Sequence, residues 1–193
     1  MYKSGLILGI VFSFFLAAFK VSADDIQAAA ELYQQRQYTT DGIKIVKQAA
    51  DLYSKAAQSA TGLEKQKLLI RQSDCIYFIA VAITDLNLST EEAKSLHLQG
   101  LKLATEVSGE IMRSVLGPSY SPEWDTAAQN LSESEKQKLQ TLDDANKDAL
   151  AEAMYWRASN YGAWMQLQWD PLPRVEVEAA AKLMKILGRK AMI

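Results

Sequence analysis

The sequence predicts an all-α protein, built either as an irregular array of helical hairpins or as a compact right-handed bundle. No stretch alternates between apolar and polar residues with the period of two that marks a β-strand. Apolar residues instead recur three and four positions apart in most segments, as they do along one face of a helix. Nine glycines and four prolines in 193 residues leave long segments without a helix breaker.

The first 23 residues are predicted to be a secretory signal peptide, and residues 24–193 a single helical-repeat domain. Lys3 supplies a positive start, Leu6–Phe19 is almost entirely apolar, and Val21–Ala23 offers small residues for cleavage after position 23. An apolar helix of this length spans about 21 Å, short of a bilayer core of roughly 30 Å. Lys20, at the exit of the apolar run, keeps an uncleaved N-terminal anchor as the alternative. The expected location is the periplasm or the exterior of a bacterial cell.

Charge and cysteine content restrict the classes of function. Removal of residues 1–23 leaves 19 basic and 23 acidic residues, a net charge of −4. A mildly acidic protein without a basic block is a poor candidate for binding nucleic acid or an anionic membrane surface. The single cysteine, Cys75, excludes an internal disulfide, and its apolar neighbours predict a small buried side chain.

Two helices are predicted before residue 62. The first runs from the acidic pair after the cleavage site to about Arg36, and a turn at Tyr38–Gly42 separates it from the second. Asp41 or Thr40 is expected to cap the second helix, which ends at Thr61-Gly62.

The next two helices are longer. Helix three covers roughly Leu63–Leu86, and its second half, Cys75–Ile83, is apolar on every side. Such a helix is expected at the centre of the fold with neighbours on more than one face. Helix four opens at Ser89 as a near capping box, with Glu92 three residues later.

A proline-containing loop, Gly117–Trp124, separates these helices from the C-terminal part of the chain. A short helical turn is predicted at Asp125–Leu131, and a polar, solvated helix at Ser132–Asn146. Helix six is expected from about Asp148 to Gln168, and a last helix over Val175–Leu187.

The connections pair helix one with two, three with four, and six with the last. Helix pairs of this size resemble tetratricopeptide repeats, although helix three is long and most units lack the tryptophan and proline of the consensus. The compact helix bundle stays the alternative.

Catalytic and metal-binding motifs are not found in the sequence. It has no glycine-rich phosphate loop, no HExxH and no cysteine pair. The carboxylates of Asp143-Asp144 point about 100° apart on a helix, which is typical of a solvated face. His97 is the only histidine, and a lone histidine is more often packed than a metal ligand. We therefore expect no enzyme activity, no cofactor and no metal site.

The segment Met154–Trp164 is the most aromatic and most patterned part of the chain. Trp156, Asn160 and Trp164 follow one another at intervals of four residues and therefore share one helix face. Gly162 inside the helix costs about 1 kcal/mol relative to alanine, which suggests that a neighbouring helix or a ligand approaches its backbone.

Two readings of this segment remain open. In one, the aromatic side chains only fill the space between helices. In the other, they line a groove or pore, with the tryptophans as apolar walls and Arg157 and Asn160 as polar tips. The candidate ligand- or partner-binding residues are Tyr155, Trp156, Arg157, Asn160, Tyr161 and Trp164.

The same segment carries a family resemblance. The matching features are the pair Tyr155-Trp156, the small residues after it, Gly162 and Trp164, and the later Leu172–Val175. Together they resemble the T-component family of TRAP transporters. About twenty-five residues match closely. Members often carry a lipobox cysteine near the N-terminus, which this chain lacks.

This resemblance implies a periplasmic protein with a tetratricopeptide-like fold and no enzyme activity. Its expected partner is a periplasmic solute-binding protein of a transport system. The resemblance also implies a helix-lined cleft that holds or passes a small apolar ligand. A generic secreted helical-repeat scaffold for protein–protein interaction is the alternative.

Overall fold

The computed structural model describes residues 23–122, 131–168, 183 and 186–188. Within these ranges the secondary structure is helical and contains no strand, which confirms the predicted all-α class. The helices are α1 (Ala23–Gln34), α2 (Thr40–Ser59), α3 (Gly62–Asp85), α4 (Thr90–Leu116), α5 (Glu133–Gln140) and α6 (Asp144–Leu167). The predicted signal peptide, the predicted turn at Asp125–Leu131 and most of the predicted last helix lie outside the described residues.

The helices pack in the order that stacked hairpins predict. Each of α1 to α4 packs against the next helix in the chain, α4 also packs against α6, and α3 packs against α6 as well. Contacts of Lys65 with Glu106 and of Ser73 with Gly100 show that α3 and α4 are antiparallel. Helices α3 and α6 run parallel, because position 71 meets position 152 and position 77 meets position 156. The predicted pairing of helices one with two and three with four is confirmed.

Helix α3 is the central element, as its apolar second half predicts. It contacts α2, α4 and α6, and seven of the nine side chains of the segment Cys75–Ile83 are buried. The two that are half-buried are Tyr77 and Val81. No helix in the described part of the chain is long and apolar enough to cross a membrane.

Capping side chains explain where the predicted helix boundaries were wrong. Thr39, not Thr40 or Asp41, caps α2, because its Oγ1 accepts a hydrogen bond of 3.0 Å from the amide of Gly42. Helix α6 begins at Asp144 instead of Asp148, because the Asp143 side chain accepts from the amide of Asn146 at 2.9 Å.

The polar segment Ser132–Asn146 is not one continuous helix. Ser132 and Glu135 form a complete capping box that starts α5, and the helix ends after Gln140. Leu139 is fully buried, so α5 packs against α4 with one face instead of being solvated all round.

Replacing Gly42 with alanine is expected to lower the free energy of unfolding by about 1–3 kcal/mol. A Cβ at this position would lie 2.0 Å from the carbonyl oxygen of Gln37 and 2.8 Å from its carbonyl carbon. These are backbone atoms of the α1–α2 connection, so the turn must move, and this outweighs the gain of about 1 kcal/mol in helix propensity. Urea unfolding measures the change. The exposed Gln48→Ala in the same helix should be nearly neutral, and equal stability of both variants would contradict the close approach.

Candidate functional site

Aromatic side chains of α3 and α6 meet at the contact between these two parallel helices. The ring centroids of Tyr155 and Trp156 are 4.8 Å apart with an angle of 76° between the planes. Tyr77 of α3 lies 5.5 Å from Trp156 at an angle of 54°. Edge and tilted arrangements of this kind are favourable for aromatic pairs, and all three side chains remain half-buried. The three rings therefore form a corner that keeps part of its area open to solvent.

A second group of rings continues this corner toward α1. Phe78 of α3 contacts Tyr33 at 6.5 Å and Tyr38 at 4.9 Å, and Tyr38 is 54% exposed. Burial raises the pKa of Tyr77, and the neighbouring Tyr155 and Tyr38 raise it further. We call the six residues the aromatic surface: Tyr33, Tyr38, Tyr77, Phe78, Tyr155 and Trp156.

Charged residues lie next to the aromatic surface. Arg71 bridges α3 and α6 through a 2.9 Å ion pair with Glu152, and it also lies 3.9 Å from Asp74. The Tyr33 hydroxyl donates a hydrogen bond to Asp74, which is buried. Burial raises the pKa of Asp74, although the bond from Tyr33 and the charge of Arg71 oppose this shift. The guanidinium of Arg36 stacks 4.5 Å above the ring of Tyr33.

Asn160 is the centre of a buried polar contact between α3, α4 and α6. Its Nδ2 donates to the carbonyl of Trp156 at 2.9 Å and to Oγ of Ser73 at 3.3 Å. Its Oδ1 lies 3.3 Å from Nδ1 of His97. The Ser73 hydroxyl donates in turn to the carbonyl of Gly100 at 2.9 Å. We call Ser73, His97, Gly100 and Asn160 the Asn160 cluster, and its three side chains are at most 1% exposed.

Gly100 allows α4 to approach α6 at this point. A Cβ at position 100 would lie 2.5 Å from Oδ1 of Asn160 and 2.8 Å from its Cγ and Nδ2. Gly100 thus permits a close approach between two helices, which is the kind of contact that the sequence predicts for Gly162. The absence of a side chain at this position makes room for the buried amide.

The six predicted binding residues occupy four different environments. Tyr155 and Trp156 belong to the aromatic surface, and Tyr161 and Trp164 form a separate pair with ring centroids 6.0 Å apart. Asn160 is inside the Asn160 cluster. The buried Arg157 donates from Nη2 to the carbonyl of Pro122 at 2.7 Å, where it holds the loop after α4. The side chains predicted as polar tips of a groove, at positions 157 and 160, are therefore packed between elements in this structure.

Other residues that shape the site were not predicted as such. Ser73, Gly100, Tyr33 and Tyr38 were not among the predicted binding residues. A small polar residue just before an apolar run, and a glycine three positions after the only histidine, are the signals that could have indicated a buried polar contact.

Cys75 and His97 were considered as catalytic or metal-binding residues. Cys75 is fully buried, and burial raises the pKa of its thiol, as expected of a structural cysteine. Burial lowers the pKa of His97, while the hydrogen bond with Asn160 opposes the shift. No group of three histidine, cysteine or acidic side chains in the described ranges is placed to hold a metal ion.

Comparison with known proteins adds no assignment to this geometry. No family model, no curated protein and no solved structure matches the sequence.

Proposed function

We propose that this protein is a non-enzymatic periplasmic accessory protein of a solute transport system, which binds a solute-binding protein through the aromatic surface. The observation that carries the proposal is the partly open corner of Tyr77, Tyr155 and Trp156, continued by the exposed Tyr38. Aromatic residues dominate the centres of protein interfaces because they bury large areas and retain a polar tip. The adjoining arginines and carboxylates supply the polar rim that such interfaces have.

The resemblance of Tyr155–Trp164 to the T-components of TRAP transporters supports this choice of partner. The same resemblance suggests a small apolar ligand, and the aromatic corner between α3 and α6 is a candidate site for it. The location in the periplasm rests on the predicted signal peptide.

The alternative is a secreted helical scaffold in which the aromatic residues are purely structural. The complete burial of Asn160 and the near-complete burial of Arg157 favour a packing role for those two residues. The half-buried rings at positions 77, 155 and 156 keep part of their area open to solvent, where a partner can contact them.

Site-specific photo-crosslinking in living cells tests the proposal. A photoreactive phenylalanine analogue at Tyr38 should crosslink to a solute-binding protein in the periplasm. The matched control is Leu98, which is 44% exposed and lines a separate groove on α4 together with Leu101 and Pro122. Crosslinks to a solute-binding protein from Tyr38 but not from Leu98 support the proposal. No such crosslink, or equal crosslinks from both positions, would overturn it.

Tyr155→Ala is expected to weaken binding of that partner about tenfold to one-hundredfold, as for an aromatic residue at the centre of an interface. Titration calorimetry with the purified solute-binding protein measures the affinity. Leu98→Ala serves as the matched control and should leave the affinity unchanged. Circular dichroism must show that both variants remain folded, and an unchanged affinity of a folded Tyr155→Ala would contradict the proposed interface.

A further inference from the structure

The geometry of the Asn160 cluster determines where its hydrogens lie. The carbonyl of Trp156 can only accept a hydrogen bond, so the amide atom that contacts it at 2.9 Å must be the donor Nδ2. The remaining amide atom, Oδ1, can only accept, and its partner is Nδ1 of His97. Neutral His97 must therefore carry its proton on Nδ1 and leave Nε2 as the unprotonated nitrogen.

The surroundings of His97 contain little that would stabilise a positive charge. From α6 it meets the neutral side chain of Asn160, and from α3 it meets the ring of Tyr77 at 5.5 Å. Tyr77 is the titratable group that faces it among the described residues, and burial keeps this phenol protonated. On α4 itself, Lys94 lies three residues before His97 and pairs with Glu91; its side chain is 20% exposed, and that of Glu91 is 84% exposed. An imidazolium at position 97 would be 1% exposed and without a described carboxylate partner.

We propose that His97 is a pH-sensitive latch: neutral His97 holds α4 against α3 and α6, and its protonation in mildly acidic medium separates these helices and rearranges the aromatic surface. His97 is 1% exposed, so a charged imidazole can be hydrated only if a helix packed on it moves, and a shift of α4 would break the close contact at Gly100. The proton comes from the medium and binds at Nε2, so no other reactant is needed.

Two contacts connect the latch to the aromatic surface. The ring of Tyr77 lies between His97 and Trp156, at 5.5 Å from each. The carbonyl of Trp156 accepts the hydrogen bond of Asn160. A shift of α4 therefore changes the packing of Tyr77 and Trp156. Control of partner binding by pH rests on the proposed function, whereas the latch itself does not.

The direction of the pH effect follows from the lowered pKa of His97. The unfolded chain, with an ordinary histidine pKa near 6.5, takes up the proton before the folded protein does. The contribution of neutral His97 to the free energy of unfolding is fully present above about pH 6.5. It is lost as the pH falls toward the pKa of His97 in the folded protein. Asp74 acts in the opposite direction, because burial raises its pKa and the folded protein binds that proton first.

Nuclear magnetic resonance of the only histidine tests the latch without any partner. The mature chain is labelled with ¹⁵N, and any histidine tag is removed. We expect the Nδ1–H tautomer at neutral pH, a pKa below 6.5, and loss of near-ultraviolet circular dichroism as the ring is protonated. The Nε2–H tautomer, or protonation with unchanged aromatic circular dichroism, would overturn the proposal.

Two variants separate His97 from other acid-sensitive groups. In His97→Asn the side-chain amide can replace Nδ1 as donor but does not titrate, so the acid transition should disappear. In Asp74→Asn the transition should persist. Loss of the transition in Asp74→Asn, or its persistence in a folded His97→Asn, would overturn the proposal. If His97→Asn does not fold, the tautomer and the pKa of the wild-type histidine decide whether the proposal stands.

Discussion

Gly100→Ala is expected to lower the free energy of unfolding by about 2–4 kcal/mol, although alanine is the better helix former by about 1 kcal/mol. The added Cβ would lie 2.5 Å from Oδ1 of Asn160, well inside van der Waals contact. Asn160 is 0% exposed and hydrogen-bonded to Trp156 and Ser73, so it cannot turn away without leaving polar atoms unpaired. The steric cost therefore exceeds the gain in helix propensity. Urea unfolding followed by far-ultraviolet circular dichroism measures the difference.

Gly109→Ala is the matched control in the same helix. A Cβ at position 109 would meet the flexible end of Arg113 and the ring of Pro122 at 3.1 Å, contacts that can relax by a few tenths of an ångström. We expect a change within about 1 kcal/mol for this variant. If Gly100→Ala is as stable as the parent protein, α4 and α6 are not as close at Asn160 as the structure shows.

A double substitution distinguishes the steric explanation from a general effect on α4. Shortening the amide in Asn160→Ser removes Oδ1 and Nδ2, two of the three atoms that the new methyl group would meet, and leaves one γ atom that can rotate away. The combination Gly100→Ala/Asn160→Ser should therefore be more stable than the sum of the two single changes predicts, by about 1 kcal/mol or more. Strict additivity would show that the two residues do not interact.

The helices could be predicted from the sequence because helix formation depends on residues that are close together in the chain. Apolar spacing places α2, α3 and α4 within a few residues of their observed bounds, and the all-apolar segment Cys75–Ile83 identifies the central helix. Apart from the cap of α2, the errors lie in the segment after position 131. There a capping box at Ser132 and a cap at Asp143 divide a mostly polar stretch, and composition does not reveal such a break.

The site could be predicted only in part, because its geometry depends on which helices meet. The sequence places Trp156 and Asn160 on one helix face, but that face contacts two helices, α3 and α4. Trp156 is half-buried beside α3, whereas Asn160 is enclosed where α4 also packs. The partners Ser73 and His97 are 87 and 63 residues away in the chain, and no local pattern links them to position 160.

Asn160→Leu is expected to lower the free energy of unfolding by about 3–5 kcal/mol. Leucine has a similar size but cannot accept from Nδ1–H of His97 or donate to the hydroxyl of Ser73. Each buried polar group that loses its partner costs about 1–3 kcal/mol. The carbonyl of Trp156 loses least, because it lies inside α6 and keeps its helical hydrogen bond. Urea unfolding at neutral pH provides the measurement.

Gln166→Leu is the control for the chemical change itself, because it replaces an amide by leucine at an exposed position of the same helix. We expect it to be neutral within about 0.5 kcal/mol. In the background of Asn160→Leu, Ser73→Ala should cost less than in the parent protein, since its hydroxyl has already lost the amide. If Asn160→Leu leaves the stability unchanged, the amide is not an integral part of the core. Asn160 would then again be a candidate for a residue that contacts the ligand directly.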